Sequence, residues 1–266
     1  MLRGVFLKSL RDHRRALIWW SAGLCAFVAM ECAIYPSVRR SAVGLDQYVK
    51  NLPEFITKAF LGSIDFSTPP GFVNAEVFSF MAPLLFLVFA VGTGARSIAG
   101  EEEAGTMDLL LAGPVSRRRV TLEKFAFVVL GVAVLSIVLF AALLVGTNAA
   151  GMHLGAASLA RGCLLLGLLG LAFGSLAFAV GAATGRRALA TAVSGGLAVA
   201  LYLLNALSQL AEGLRPFRVL SLFYYYGGAA PLTRGLRAAD LSVLSLTTAV
   251  LLAVALLAFT RRDVRA

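Results

Sequence analysis

The sequence predicts an all-α membrane protein whose chain crosses the bilayer six times. Hydrophobic residues make up 59% of the 266 positions and charged residues only 14%, which is typical of polytopic membrane proteins. A bilayer core about 30 Å thick needs roughly 20 mostly apolar residues per helical crossing, and six stretches qualify. Because lipid cannot satisfy backbone hydrogen bonds, these long continuous stretches must be helices rather than barrel strands. We therefore expect one transmembrane domain over residues 1–266.

The elements follow in chain order from apolar length and helical periodicity. Residues 1–16 are expected to form an amphipathic interfacial helix, since Leu2, Phe6 and Leu10 share one face and basic residues share the other. The six spans are expected at Leu17–Tyr35, Val77–Ala99, Phe125–Thr147, Gly162–Ala183, Leu189–Ala211 and Leu241–Thr260. The intervening segments are then outer loops at 36–76 and 212–240 and a cytoplasmic segment at 100–124.

The net charge is +10, and the distribution of the basic residues along the chain indicates the membrane topology. With a cytoplasmic N-terminus, most basic residues fall in segments that face the cytoplasm, which is the positive-inside pattern. We therefore expect a multi-pass protein of the plasma membrane with both termini cytoplasmic. Nucleic-acid binding is not expected, because no basic and aromatic surface is organised to read bases or to follow a phosphate backbone.

Several chemistries lack the residues that they need. The sequence has no G-x-x-x-x-G-K-[ST] loop, so the chain is not expected to bind ATP by that route. The two histidines, His13 and His153, lie outside the spans, and no H-E-x-x-H motif is present. The three cysteines, Cys25, Cys32 and Cys163, are too few and too scattered for a disulfide framework or a soft-metal site. We predict neither an enzyme nor a metal site.

The segment between the second and third spans offers a charged, ordered surface to a soluble partner. Acids stand at its start, and Glu103, Thr106, Met107, Leu110 and Pro114 fall on one helical face. Methionine and leucine side chains on an exposed helix are expected to be buried, either in the inner leaflet or in a groove on a soluble protein. Ser116 is positioned to cap the third helix.

Two features inside the spans have more than one interpretation. Tyr202, Asn205, Ser208, Gln209 and Glu212 form a polar stripe on the fifth span, which suits either hydrogen bonds between helices or a translocation surface. Small residues recur every four positions in the fourth span, from Gly170 to Gly181, and in the fifth, from Ala188 to Ala200. Such faces allow close helix packing within the chain or between two copies.

The segment Ala99-Gly100-Glu101-Glu102-Glu103, Gly105-Thr106-Met107-Asp108-Leu109-Leu110-Leu111 and Pro114-Val115-Ser116-Arg117 resembles the corresponding segment of ABC-type exporter permeases of the type-2 integral membrane family. The resemblance extends to six spans with both ends inside. It implies a coupling helix that docks on a separate ATPase through Glu101, Glu102, Glu103, Gly105, Thr106, Met107, Leu110 and Pro114. It also implies a second contact at Gly185, Arg186 and Arg187, and a re-entrant segment near 224–236.

The resemblance further implies an ATP-driven exporter that works by alternating access. Two copies of an ABC-type ATPase would carry the ATP and Mg, and this chain would bind no cofactor. A second permease half, the same or a similar chain, would complete the path within membrane lipid. The residues expected along that path are Glu31, Phe78, Phe86, Phe89, Tyr202, Asn205 and Gln209. The aromatic side chains, with Phe80, suit a hydrophobic drug, antibiotic or lipid-like substrate, and core packing is the other interpretation of each phenylalanine. The alternatives are a secondary transporter that uses Glu31 and a membrane scaffold.

Overall fold

The computed structural model describes residues 5–40, 68–107, 115–227, 231–233 and 235–262. In these ranges all regular structure is helical, and six helical segments are long and apolar enough to cross a membrane. They are α1 (Val5–Arg40), α2 (Pro69–Glu103), α3 (Arg117–Ala149), α4 (Ala156–Thr184), α5 (Arg187–Leu207) and α6 (Ala238–Arg261). The predicted all-α, six-span architecture is confirmed.

Helix α1 runs without a break from its amphipathic start into its apolar part. Residues 5–16, which belong to the expected amphipathic interfacial helix, continue into the first span. No glycine or proline lies between Val5 and Ala22 to end the helix. The start of α1 is also held by α3, because the backbone N–H of Phe6 donates a hydrogen bond of 3.0 Å to the Glu123 carboxylate. At 1.5 Å per residue, α1 is about 54 Å long and extends beyond the roughly 30 Å hydrocarbon core.

Helix α2 starts earlier and ends later than the expected 77–99, and it is not regular throughout. It contains π-helical turns at Asn74–Phe78 and Arg96–Gly100, which flank the α-helical part Met81–Ala95. The interruption before Met81 has a local cause, since Pro83 lacks the N–H that Ser79 O would accept and its ring crowds that carbonyl. Part of the expected outer loop 36–76 is therefore helical, while residues 41–67 lie outside the described residues.

The ends of α3 and α4 follow standard capping chemistry. The Ser116 hydroxyl accepts a 3.3 Å hydrogen bond from the N–H of Arg119, which confirms the predicted cap. Helix α4 ends at Gly185, whose φ of +65° places it in the left-handed region that favours glycine. Helix α3 begins eight residues before the expected start of the third span, so much of the expected cytoplasmic segment 100–124 is helical.

Helix α4 lies at the centre of the bundle and contacts α2, α3, α5 and α6. Its small-residue face packs against α2 inside this chain, which settles the interface that the sequence left open. A Cβ added to Gly174 would lie 3.1 Å from the Cβ of Ala90, and one added to Gly94 would overlap the carbonyl oxygen of Gly174. The two backbones can approach this closely only because glycine occupies these positions.

The chain between α5 and α6 turns back into the bundle. Helix α5 ends at Leu207, four residues before the expected end of the fifth span, and a 3-10 helix (Glu212–Leu220) and a short helix (Leu222–Tyr226) follow. The Tyr226 hydroxyl donates a 2.8 Å hydrogen bond to the carbonyl of Phe78. The Phe223 ring packs 5.8 Å from that of Phe173 in α4. Part of the expected outer loop 212–240 is therefore helical. The short helix Leu222–Tyr226 packs against the spans through Phe223 and Tyr226, while the 3-10 helix before it has no buried residue.

The α2–α4 contact gives the first testable prediction. We expect Gly94→Ala to destabilise the protein by about 1–3 kcal/mol, because the methyl group would force the two backbones apart. Thermal unfolding of the purified protein in detergent measures this effect. The matched control is Gly92→Ala, two residues away in the same helix, where an added Cβ meets nothing within 4 Å. Equal melting temperatures for the two variants would contradict the close packing.

Candidate functional site

The candidate site lies at the end of the bundle where α1, α3 and α5 begin and α2, α4 and α6 end. We call it the basic end, since Arg96, Arg117, Lys124, Arg187 and Arg262 all lie there. The described residues among those predicted to couple to an ATPase also lie at this end, in the last turn of α2, in the turn that follows it and in the α4–α5 link. Three consecutive glutamates at the end of α2 connect this region to the other helices.

Glu101 is held by lysines from two other helices. Its carboxylate forms an ion pair with Lys124 of α3, and the ammonium of Lys8 in α1 lies 3.9 Å from the same oxygen. The Lys124 side chain is only 4% exposed. A buried lysine depends on its counter-ion, because removal of one partner leaves an uncompensated charge. Glu101 therefore holds α1 and α3 against the end of α2.

Glu102 binds the residue that follows α6. Its carboxylate forms an ion pair with the guanidinium of Arg262. Arg117, at the start of α3, donates to the backbone carbonyl of Arg262 and lies over the Phe259 ring at 5.9 Å. Gly185 lies against this pair, and a Cβ there would collide with the Glu102 carboxylate. The end of α6 is thereby fixed to α2, α3 and the end of α4.

Glu103 caps another helix. Its Oε1 accepts a 2.7 Å hydrogen bond from the backbone N–H of Arg187, the first residue of α5. A carboxylate at this position satisfies a backbone donor that has no partner within the helix, and it complements the helix dipole. The segment expected to form the coupling helix and the link expected to form the second ATPase contact are joined by this bond.

The residues after the glutamates turn back towards the core. Gly105 has a φ of +66°, and the Thr106 N–H and hydroxyl both donate to the carbonyl of Glu101, at 2.9 and 3.2 Å. Met107 is 1% exposed and packs in a cluster with Ile98 and Phe178. The Met107 side chain is thus buried by residues of this chain, and neither a partner groove nor the inner leaflet is needed to bury it. Met107 is therefore not part of the expected exposed apolar face. Leu110 and Pro114 lie outside the described residues.

An open cleft of about 840 Å³ remains at the basic end. Ala104, Gly105, Glu103, Arg186 and Arg187 are exposed beside it or at its rim. The residues that line the cleft are Glu102, Glu103, Ala183, Thr184, Gly185, Arg186, Leu189 and Arg262. Among the described residues, no group of histidine, cysteine, aspartate and glutamate side chains could hold a metal ion.

A second cavity, of about 540 Å³, lies between α2 and α5, and we call it the α2–α5 groove. Tyr202, an expected path residue, lines it together with Phe80 and Phe223. The Tyr202 ring lies 6.1 Å from Phe80 and 5.3 Å from Phe223. The groove is therefore closed by aromatic rings at the end opposite to the basic end.

Other expected path residues do not line this groove. Phe78, Phe86 and Phe89 are 0%, 1% and 5% exposed and pack in the core of this chain. Asn205 is buried, and its Oδ1 accepts a 3.1 Å hydrogen bond from Nε of Arg218. This bond supports the interhelical interpretation of the polar stripe for that residue.

Glu31 is half-buried in α1 and is not among the residues that line the groove. Gln209 is also half-buried, in the turn that follows α5. Neither residue is brought together with Tyr202 at the groove.

The partners of the three glutamates are not predictable from the sequence. Lys124 and Arg262 are 23 and 160 residues from their partners, so no local pattern reveals the pairing. Only Lys124 carries an indication in the sequence that it has an acidic partner. It stands directly before the apolar run of the third span, where a lysine needs a counter-ion.

The Glu101–Lys124 pair gives a second prediction. We expect Glu101→Ala to lower the stability by about 3–5 kcal/mol, because it leaves the Lys124 charge buried and unpaired. Replacing both partners, as Glu101→Leu with Lys124→Met, is expected to restore most of the loss. Thermal unfolding in detergent measures both changes, with Glu103→Gln, at an exposed position that keeps its acceptor oxygen, as the control. A double variant less stable than Glu101→Ala would contradict this account.

The family of the chain follows from comparison with known proteins. A family model described as ABC-2 family transporter protein matches residues 4–264. A search of curated proteins gives no match. The matched range covers nearly the whole chain and all six spanning helices, which agrees with the resemblance found in the sequence. The chain therefore belongs to the ABC-2 family of transporter proteins, and it is an ABC-type membrane permease.

Proposed function

We propose that this permease is the membrane half of an ATP-driven exporter, moved between inward- and outward-facing states by a separate ABC-type ATPase. Family membership implies the ATPase partner. Two ATPase copies would hold the ATP and Mg, and this chain would hold neither. The observation that carries the proposal is the 2.7 Å bond between Glu103 and Arg187. It brings the two segments expected to contact the ATPase to one open cleft.

The docking surface in this proposal is the exposed turn after α2 together with the α4–α5 link. Ala104 and Gly105 are exposed on the turn, and Arg186 is exposed on the link. Glu101 and Glu102 act inside the chain and transmit force, since their partners belong to α1, α3 and the end of α6. Leu110 and Pro114, carried over from the family motif, would extend the surface over the neighbouring segment.

A second permease half would pack on α5. Its small-residue face consists of Ala188, Ala192, Gly196 and Ala200, and all four are exposed in the single chain. The comparable face of α4 is already used by α2. Close packing of two α5 helices, from the same or a similar chain, would bury this face and place the two α2–α5 grooves near the dimer axis.

The α2–α5 groove is the proposed start of the transport path. Leu87, Val91 and Ala198 line it with apolar surface, which favours a hydrophobic drug, antibiotic or lipid-like substrate over an ion. The basic end would face the cytoplasm of the plasma membrane, following the positive-inside pattern.

The alternatives predict different energetics. A secondary transporter that uses Glu31 would lose transport when the proton gradient collapses and would not respond to loss of the ATPase. A scaffold would transport nothing. The family assignment favours the ATP-driven exporter over the secondary transporter and over the scaffold.

The docking surface gives a third prediction. We expect Ala104→Arg and Arg186→Glu each to reduce the ATPase that co-purifies with the tagged permease by at least about tenfold, because each places a new charge in the contact. Quantitative pull-down from cells that express the complete operon measures this.

The matched control is Ala157→Arg, an exposed alanine near the start of α4, at the other end of the bundle. All variants must elute as the wild type does in size-exclusion chromatography. Normal ATPase recovery with both basic-end variants would contradict the docking surface. Absence of any ATPase with the wild-type protein would contradict the exporter itself and favour the alternatives.

A further inference from the structure

The α2–α5 groove has one apolar wall and one charged end. Its wall is formed by side chains such as Leu84, Leu87 and Val91 of α2 and Ala198 and Val199 of α5. Arg96, at the end of α2, and Arg187, at the start of α5, line the same groove at the basic end. A compact apolar molecule would need only the wall, so the two arginines call for a separate explanation.

The groove is long compared with its volume. From Phe80 to Arg96 along α2 is about 24 Å, and from Arg187 to Tyr202 along α5 is about 22 Å, at 1.5 Å per residue. This length is most of the roughly 30 Å hydrocarbon thickness of a bilayer. A long hydrocarbon chain matches this shape, with its end at the aromatic closure formed by Phe80, Tyr202 and Phe223.

The two arginines are free to bind an anion. In the part of the chain that the structure describes, no carboxylate lies within ion-pair distance of either guanidinium group. The nearby glutamates are used elsewhere, Glu101 by lysines and Glu102 by Arg262, while Glu103 accepts from the backbone of Arg187. Guanidinium groups bind phosphate and carboxylate through paired charge-assisted hydrogen bonds. The charged end therefore complements an acidic head group.

The groove opens sideways rather than towards water. Leu84, Val88 and Val199 on its flanks are 40%, 54% and 59% exposed. Leu84 and Val88, on the α2 side of the groove, lie within an apolar span and would face lipid, so a ligand can enter from the bilayer with its chain already in hydrocarbon. Arg96 and Arg187 stand at the level of the head groups, where arginine is commonly found next to a span.

We infer that the α2–α5 groove binds an anionic lipid drawn from the leaflet at the basic end. Its acidic head group lies between Arg96 and Arg187, and its chain follows the apolar wall towards Tyr202. The step from bound lipid to exported substrate rests on the proposed function, whereas the binding does not. The proposed substrate class is thereby narrowed from hydrophobic molecules in general to amphiphiles with a negatively charged head group.

The test is binding to the full-length protein purified in neutral detergent without any ATPase. Dioleoylphosphatidylglycerol is titrated, and occupancy is measured by native mass spectrometry. Dioleoylphosphatidylcholine, which has the same chains and no net charge, is the comparison lipid. We expect the anionic lipid to bind at least about tenfold more tightly, and Arg96→Gln with Arg187→Gln to remove that preference.

Two further variants make the result specific to the groove. Gly195 lines the groove and has nothing within 4 Å of an added Cβ, so Gly195→Trp is expected to block the chain site and lower binding of both lipids. Arg15→Gln with Arg118→Gln removes two exposed positive charges from the basic end outside the groove. This control is expected to keep wild-type affinity.

Three results would overturn the inference. Equal loss in the Arg15 and Arg118 control would show general attraction of anionic lipid to the basic end. Equal affinity for the two lipids would remove the role of the arginines. Displacement of the lipid by millimolar inorganic phosphate would identify a site for a free anion. Since no ATPase is present, failure here leaves the docking surface intact, and failure of the pull-down leaves lipid binding intact.

Discussion

The basic end of this permease is organised by three consecutive carboxylates at the end of one helix. Successive residues of a helix point in different directions, about 100° apart, so Glu101, Glu102 and Glu103 reach three different parts of the bundle. Glu101 holds α1 and α3, Glu102 holds the end of α6, and Glu103 caps α5. A displacement of the end of α2 is therefore passed through these carboxylates to α1, α3, α5 and α6. It reaches α4 by direct packing, because α2 and α4 are in contact.

The bundle has a tightly packed side, where α2 contacts α4, and an open side, where α5 is largely exposed. We call these the closed side and the open side. Glycines on α2 and α4 bring those helices into backbone contact, which leaves no room for a ligand between them. Helix α5 contributes few buried side chains, and its face of Ala188, Ala192, Gly196 and Ala200 is exposed. A cavity forms where the closed and open sides meet, along the seam between α2 and α5.

The sequence predicted the membrane class, the six spans, the Ser116 cap and the family, because apolar length and local motifs are properties of short stretches. It did not predict the contacts of the glutamates, since Lys124 and Arg262 are brought to them only by the fold. It left Phe78, Phe86 and Phe89 with two interpretations, a transport path and core packing, and all three are buried in the core of this chain. An aromatic side chain in an apolar span can face lipid, pack in the core or contact a ligand. Which of these occurs depends on the packing of the neighbouring helices, which the sequence does not show. The amphipathic N-terminal segment is continuous with the first span, because nothing in residues 5–16 ends a helix.

The pairing of Glu102 with Arg262 also sets an order of assembly during synthesis. The two residues are 160 positions apart, and a ribosome adds about 5–20 residues per second. Glu102 therefore leaves the ribosome roughly 8–32 s before its partner exists. During that interval α1 to α5 can enter the membrane and Glu101 and Glu103 can find their partners. The sixth helix then docks onto a nearly complete bundle, and its arrival brings Glu102 its ion-pair partner.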